Sequence, residues 1–292
     1  MSSVAATPPA ATPALAHPRR PFTLTVYRWE LRKLVSQKRT YLGLALAMIL
    51  PLFFVIFQNV HQQHHDHADT IFATEITQSG LATPVLMLLF MSAFFLPLIA
   101  ALVAGDIFAN EDGNGTLKTI LTRSVDRGQV FAAKALAAVS YAALAVLAAA
   151  TVATVGGVAS WGFHAVRTLS GTVVSAPEAL LLVCAINLAY LIPLFAVASI
   201  GVLLSAASRN SAGAVVGTIG LVILLYIVSA IPGLEGIKPY LLTEQFQAWQ
   251  GLLRTPTDWG PIAHSAWVCA LYGVPCLFAA YLVLLRRDVA GG

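Results

Sequence analysis

Six stretches of this chain contain no Asp, Glu, Lys, Arg or His: Tyr41–Phe57, Pro84–Gly105, Ala135–Val158, Ala179–Leu204, Ala212–Ile231 and Ala266–Leu285. Each is 17 to 26 residues long and mostly apolar. A helix rises about 1.5 Å per residue, so roughly 20 residues cross a hydrocarbon core about 30 Å thick. Continuous apolar runs of that length fit helices, because in lipid every backbone polar group must be satisfied within the structure. Helices of soluble domains average only about 11–12 residues. The runs therefore predict an all-α, polytopic membrane protein with six transmembrane helices. Composition agrees: 10% of residues are charged, against about 25% in soluble domains, too few to cover a soluble surface. The 58% hydrophobic content excludes a disordered chain and a secreted disulfide scaffold.

The Lys and Arg residues set the orientation. Seven precede the first span, four lie between spans two and three (Lys118, Arg123, Arg127, Lys134), Arg209 follows span four, and Arg286 and Arg287 follow span six. The opposite side has only Arg167, Lys238 and Arg254. The positive-inside rule places both termini in the cytoplasm. The net charge of +4 is thus explained by topology, and no nucleic-acid partner is expected. Residues 1–21, rich in Ala, Pro, Thr and Ser with no charge before Arg19, read as a disordered cytoplasmic tail. They lack the charged and apolar regions of a signal peptide. Residues 22–288 form the expected single transmembrane domain.

The spans carry no ionisable side chain other than Cys and Tyr. Buried charges usually mark proton relays and ion pathways, so a proton-coupled carrier is disfavoured. Asn187 is expected to hydrogen-bond between helices or to line a path. Proline falls inside four spans, at Pro51, Pro97, Pro193 and Pro275, and each can kink its helix. Gly213 and Gly217 form a G-x-x-x-G step suited to close helix packing. Cys184, Cys269 and Cys276 all lie in spans; the last two, seven residues apart on one helix, are about 10 Å apart along its axis, too far for a disulfide. No Gly-Lys dipeptide occurs, so the chain has no G-x-x-x-x-G-K-[ST] nucleotide loop. It also lacks H-E-x-x-H and G-x-S-x-G, and catalysis in this chain is not expected.

Two inner segments have more pattern than a linker needs. In Phe22–Val35, Leu24, Tyr27, Leu31, Leu34 and Val35 form one helical stripe, with Arg28, Arg32 and Lys33 beside or opposite it. This predicts a basic amphipathic helix at the inner leaflet of the lipid bilayer, stripe inward, with a weak Glu30–Lys33 pair. In the loop from Asp106 to Lys134, the turn residues Asn110–Gly115 precede Leu117, Ile120 and Leu121 at i, i+3, i+4, a short helix with one apolar face. Asp126 and Gln129 suggest a capping box for the next helix. On the outer side, Leu242, Phe246, Trp249 and Leu253 form one stripe, predicting an interfacial helix. The outer loop after span one holds His61, His64, His65 and His67 near Asp66. These are metal-ligating side chains, but the expected role is a solvated cap, with no metal site.

The run Glu111-x-x-x-Gly115-Thr116-Leu117-Lys118-x-x-Leu121-Thr122-x-x-Val125-x-Arg127, with Lys134 seven residues on, resembles the inner-loop signature of type-2 ATP-binding-cassette exporter permeases. With the amphipathic helix, the six spans and the loop before span six, the resemblance covers about residues 22–287. It implies that Thr116–Thr122 is the coupling helix, docking an ATP-binding-cassette ATPase subunit through Glu111, Gly115, Thr116, Leu117, Lys118, Ile120, Leu121 and Arg127. It further implies a second permease chain, identical or related, and ATP and Mg bound only by the partner subunit, with no cofactor in this chain. The outer stripe would be a lid on the exit. The expected location is the cell membrane, the inner membrane of a bacterium, and the expected cargo an amphipathic or lipophilic substrate. The alternatives are a membrane scaffold that recruits a cytoplasmic partner, or an ATP-independent carrier or channel.

Overall fold

The computed structural model describes residues 23–64, 79–116, 126–168, 170–208 and 210–286. The chain runs α1 (Thr23–Val35), α2 (Lys38–His64), a 3-10 turn at Gly80–Ala82, α3 (Thr83–Ser92), α4 (Phe95–Ala104), α5 (Ala109–Gly113) and α6 (Arg127–Trp161). A short antiparallel hairpin, β1 (Val166–Arg167) with β2 (Val173–Val174), leads to α7 (Ala176–Ala207) and α8 (Ser211–Ala230). Then come α9 (Leu242–Gln245), a 3-10 segment at Ala248–Leu253, and α10 (Gly260–Arg286). Among the described residues α2, α6, α7, α8 and α10 are each long and apolar enough to span a membrane alone.

The second predicted span is not one helix. It is split into α3 and α4, and the two halves are bent by 63°. The cause is local. Pro97 has no N–H to give to the carbonyl four residues back, and its ring crowds that carbonyl, at Ala93. Phe94 accordingly leaves helical geometry, at φ −138 and ψ −51. The Tyr190 hydroxyl of α7 donates to the freed Ser92 carbonyl at 3.1 Å. Pro51, Pro193 and Pro275 remain inside continuous helices.

Caps explain most other boundaries. Asp126 accepts from the Gly128 N–H at 3.4 Å, but Gln129 does not reciprocate: its buried side-chain oxygen has no partner among the described residues. Asn210 caps α8 through the Gly213 N–H at 3.1 Å. Ser175 donates its N–H to Glu178 at 3.3 Å and starts α7. Gly162, at φ +78, ends α6 in a conformation that favours glycine.

The alanine face of α6, including Ala137, Ala138, Ala145 and Ala153, is buried, and the small side chains let α2, α4 and α7 approach it. The closest backbone crossing lies elsewhere on α6. A Cβ at Gly80 would meet the Gly157 carbonyl oxygen at 2.2 Å, and one at Gly157 would meet the Gly80 oxygen at 2.4 Å. The predicted packing step on α8 differs: Gly213 and Gly217 are exposed, and Gly217 meets only Leu204.

Candidate functional site: a charged junction below the spans

Charged residues converge where α1, α5 and α6 meet. Lys134 stands seven residues into α6 and is fully buried. Its ammonium donates to Glu111 Oε1 at 2.6 Å, to Glu30 Oε2 at 3.0 Å and to the Ile107 carbonyl at 3.4 Å. It also lies 5.6 Å from the centre of the Phe108 ring, a cation–π contact. Lys33 of α1 pairs with the same Glu111 oxygen. Beside this group Arg39, at the start of α2, pairs with Asp106, which also accepts from the Ser211 hydroxyl of α8.

The cluster sets three cations (Lys33, Arg39, Lys134) against three carboxylates (Glu30, Asp106, Glu111). Burying an ion costs several kcal/mol, and only close geometry with further hydrogen bonds recovers it. Lys134 meets that condition with three acceptors. Lys33 is less enclosed, and burial first, then the Lys134 ammonium, pulls it down to about 8, with Glu30 acting in the opposite sense.

The backbone between α4 and α5 is held from behind. The N–H groups of Phe108 and Ala109 both donate to the buried Ser205 hydroxyl of α7, each at 3.0 Å. The Thr116 hydroxyl donates to the Glu111 carbonyl at 3.2 Å. Glu111 is thus fixed by α1, α6 and its own chain just before the segment that resembles a coupling helix. Arg127, the first residue of α6, donates to the Leu285 carbonyl of α10 at 2.8 Å.

Of the coupling residues named from sequence, Glu111 is buried, Gly115 takes φ +70, Thr116 is exposed and Arg127 begins α6. Leu117, Lys118, Ile120 and Leu121 lie outside the described residues. On α1 the stripe is divided. The helix buries Val26, Glu30 and Leu34, while Tyr27 and Leu31 pack part-buried against the core. Leu24 and Val35 are 57% and 60% exposed. Arg28 and Arg32 are exposed and Lys33 turns inward. The expected Glu30–Lys33 pair is replaced, since Glu30 binds Lys134 and Lys33 binds Glu111. Sequence reasoning had Glu111 and Lys134 only as motif positions, paired Glu30 with Lys33 instead of Lys134, and gave Asp106 no role. The available signal was the confinement of carboxylates to the ends of apolar runs.

At the opposite end the outer stripe is not one interfacial helix. It is α9 followed by a 3-10 segment. Leu242, Phe246 and Trp249 are buried among the spans, and Leu253 packs part-buried against the same core. The Phe246 ring lies 5.7 Å from Tyr190. Trp249, on the stripe of the predicted interfacial helix, is 2% exposed, whereas Trp259 is 62% exposed. Asn187 donates to the Val183 carbonyl of its own helix at 2.8 Å. His61 and His64 end α2; His65 and His67 lie outside the described residues. No cluster of metal-ligating side chains occurs among the described residues.

One apolar cavity, of about 200 Å³, opens between α2 and the broken span. Phe53, Phe54, Phe57, Phe90, Met87 and Met91 line it. Phe53, Phe57 and Phe90 are more than half exposed, so it is a groove open on the outside of the bundle, with room for a ring or a length of acyl chain.

Among the described residues, a bundle of five long apolar helices and one bent apolar helix pair, closed at one end by a buried ionic junction, is that of a multi-pass membrane protein. Residues 24–259 match the family described as ABC-2 family transporter protein, and the chain belongs to that family. It is therefore a permease of an ATP-binding-cassette transporter, a transport component that associates with an ATPase subunit and is not itself catalytic. No curated protein matches the chain.

Proposed function

We propose that this chain is the permease half of an exporter for amphipathic or lipophilic substrates. Two permease chains associate, identical or related, and a separate ATPase subunit docks on each through residues 116–122. That subunit binds ATP and Mg. Both termini lie in the cytoplasm, a reading supported by fourteen Lys and Arg on that side against three on the other.

The observation that carries the coupling reading is the fixation of Glu111. Thrust on residues 116–122 reaches Glu111 across five residues. From there Lys134 passes it to α6, and Lys33 passes it to α1. Paired charges transmit displacement in both directions, because pulling either partner away strands the other in a buried site. The phenylalanine-lined cavity, with no charged residue in its wall, supports the lipophilic cargo.

The test is co-purification with the ATPase subunit. Leu117→Asp places a charge on the docking face and is expected to abolish assembly. Glu111→Ala is expected to leave assembly largely intact while reducing substrate-stimulated, vanadate-sensitive ATP hydrolysis at least ten-fold. Normal assembly and stimulation in both variants would falsify the coupling assignment.

A further inference from the structure

We propose that the outward side of α1 is a binding site for anionic phospholipid headgroups, which sets the position of the coupling junction; this rests on the function proposed above. Two contacts orient the helix. The Tyr27 hydroxyl meets the Ser140 hydroxyl at 2.7 Å, nearly two turns further into the α6 span than Lys134. The Tyr27 edge of α1 therefore packs on α6 at a level nearer the membrane interior than Lys134. Lys33 meets Glu111, so its side faces the junction.

Successive helical residues turn by about 100°. Turning from Tyr27 away from the protein, the order is Leu31, Leu24, Val35, Arg28, Arg32. Leu24 and Val35 stand exposed, at 57% and 60%, and the exposed Arg28 and Arg32 follow on the side further from the span. Lys38, at the start of α2, is exposed as well. Aliphatic side chains on the membrane side with cations just below are the arrangement of an interfacial helix that dips into the acyl region and holds its charges at headgroup level.

The cations are also sorted by partner. Lys33, Arg39 and Lys134 are consumed in the junction. Arg28, Arg32 and Lys38 have no carboxylate partner among the described residues. Orientation in the membrane needs only positive charge on this segment, and it gives no reason for such sorting. An anionic headgroup supplies the missing charge. Each cation near an anionic surface gains about five-fold in association at low salt, so three together give a clear preference. Glu30 and Lys33 on the opposite side of the same helix touch Lys134 and Glu111. Headgroups that hold α1 down therefore hold the junction closed.

The full chain in nanodiscs of mixed phosphatidylcholine and phosphatidylglycerol reports the preference through spin-labelled versions of each lipid. The wild type is expected to retain phosphatidylglycerol several-fold over phosphatidylcholine, and to lose the preference at high salt. Arg28→Gln/Arg32→Gln/Lys38→Gln is expected to abolish it, and Arg28→Lys/Arg32→Lys to keep it. Equal preference in the Gln variant and the wild type overturns the proposal, as does a Gln variant that keeps the preference but no longer assembles with the ATPase subunit. Lipid preference is read on the permease alone, so failure of the coupling assignment leaves this result interpretable. If both hold, ATP hydrolysis by the assembled wild type rises several-fold with phosphatidylglycerol, and that of the Gln variant does not.

Discussion

At the α1 end of the bundle three carboxylates and three cations lock α1, α2, α5 and α6 together. At the opposite end Leu242, Phe246 and Trp249 sink among the spans, with the one carboxylate of that turn, Glu244, left exposed, and the Gly80 turn crosses Gly157 backbone to backbone. The first kind of closure is directional. Each member has named partners, and a displaced member leaves an uncompensated charge. The second is a matter of volume, in which loss scales with the space left empty. On the coupling proposed above, the end that answers the ATPase subunit is built from directional contacts, and the other end from packed surface.

The largest effect should come from taking one charge from the ionic end. Lys134→Met removes the common partner of Glu30 and Glu111 and leaves both carboxylates buried. The expected loss is about 3–5 kcal/mol, read as a lowered unfolding temperature in detergent. Adding Glu30→Gln and Glu111→Met should recover most of it, since well-packed neutral side chains replace the fully buried ions at little cost and Lys33, 38% exposed, can turn its ammonium to water. The same triple variant should remain uncoupled from ATP hydrolysis. If it were as unstable as Lys134→Met alone, the ionic end would be a packing device like the other, and the contrast would collapse.

At the apolar end, size should matter and polarity should not. Trp249→Ala is expected to cost about 3–5 kcal/mol through the cavity it leaves. Trp249→Phe is expected to cost much less, below about 1.5 kcal/mol. The indole N–H is buried with no hydrogen-bond partner among the described residues, and removing an unsatisfied donor relieves part of the loss of volume. Thermal unfolding of the two variants side by side measures this. A Phe variant as unstable as the Ala variant would show that the N–H has a partner worth keeping.

The contrast also bounds what the amino-acid order could reveal. The spans were legible because lipid forbids charge over about 20 residues, a rule local to each segment. The split of the second span was not. Pro97 looks no different from Pro51 or Pro193, and only Tyr190, 98 residues from Ser92, accepts the consequence of the break. On α1 the apolar stripe was visible, but the buried face is centred on Glu30, because Lys134 waits 104 residues away. A carboxylate scores as surface until its cation is known. The outer stripe of Leu242, Phe246 and Trp249 marked the residues that share a buried side, yet tertiary packing broke the helix that the spacing implied. In the resemblance to exporter permeases, Glu111 and Lys134 stood as separate letters; their 2.6 Å contact is what makes them a site.

The smallest expected effect lies at the break itself. Tyr190 is 1% exposed and gives its hydroxyl hydrogen to the Ser92 carbonyl at 3.1 Å, while its ring stays against Phe246. Tyr190→Phe removes the donor and keeps the ring. Polar contacts within membranes average about 0.6 kcal/mol, and the strongest reach about 1.7. An unpaired carbonyl at a helix end can turn to another donor, so the loss should stay near the lower figure. The functional change should exceed the change in stability. Phe90 and Met91 line the apolar cavity immediately before the break, and the hydroxyl on Ser92 limits how far α3 can swing from α4. The variant is therefore expected to unfold within a few degrees of the wild type but to bind a fluorescent lipophilic probe with altered affinity. Unchanged probe binding together with a large drop in unfolding temperature would make the break a structural joint, like the packed end beside it, and remove it from the substrate path.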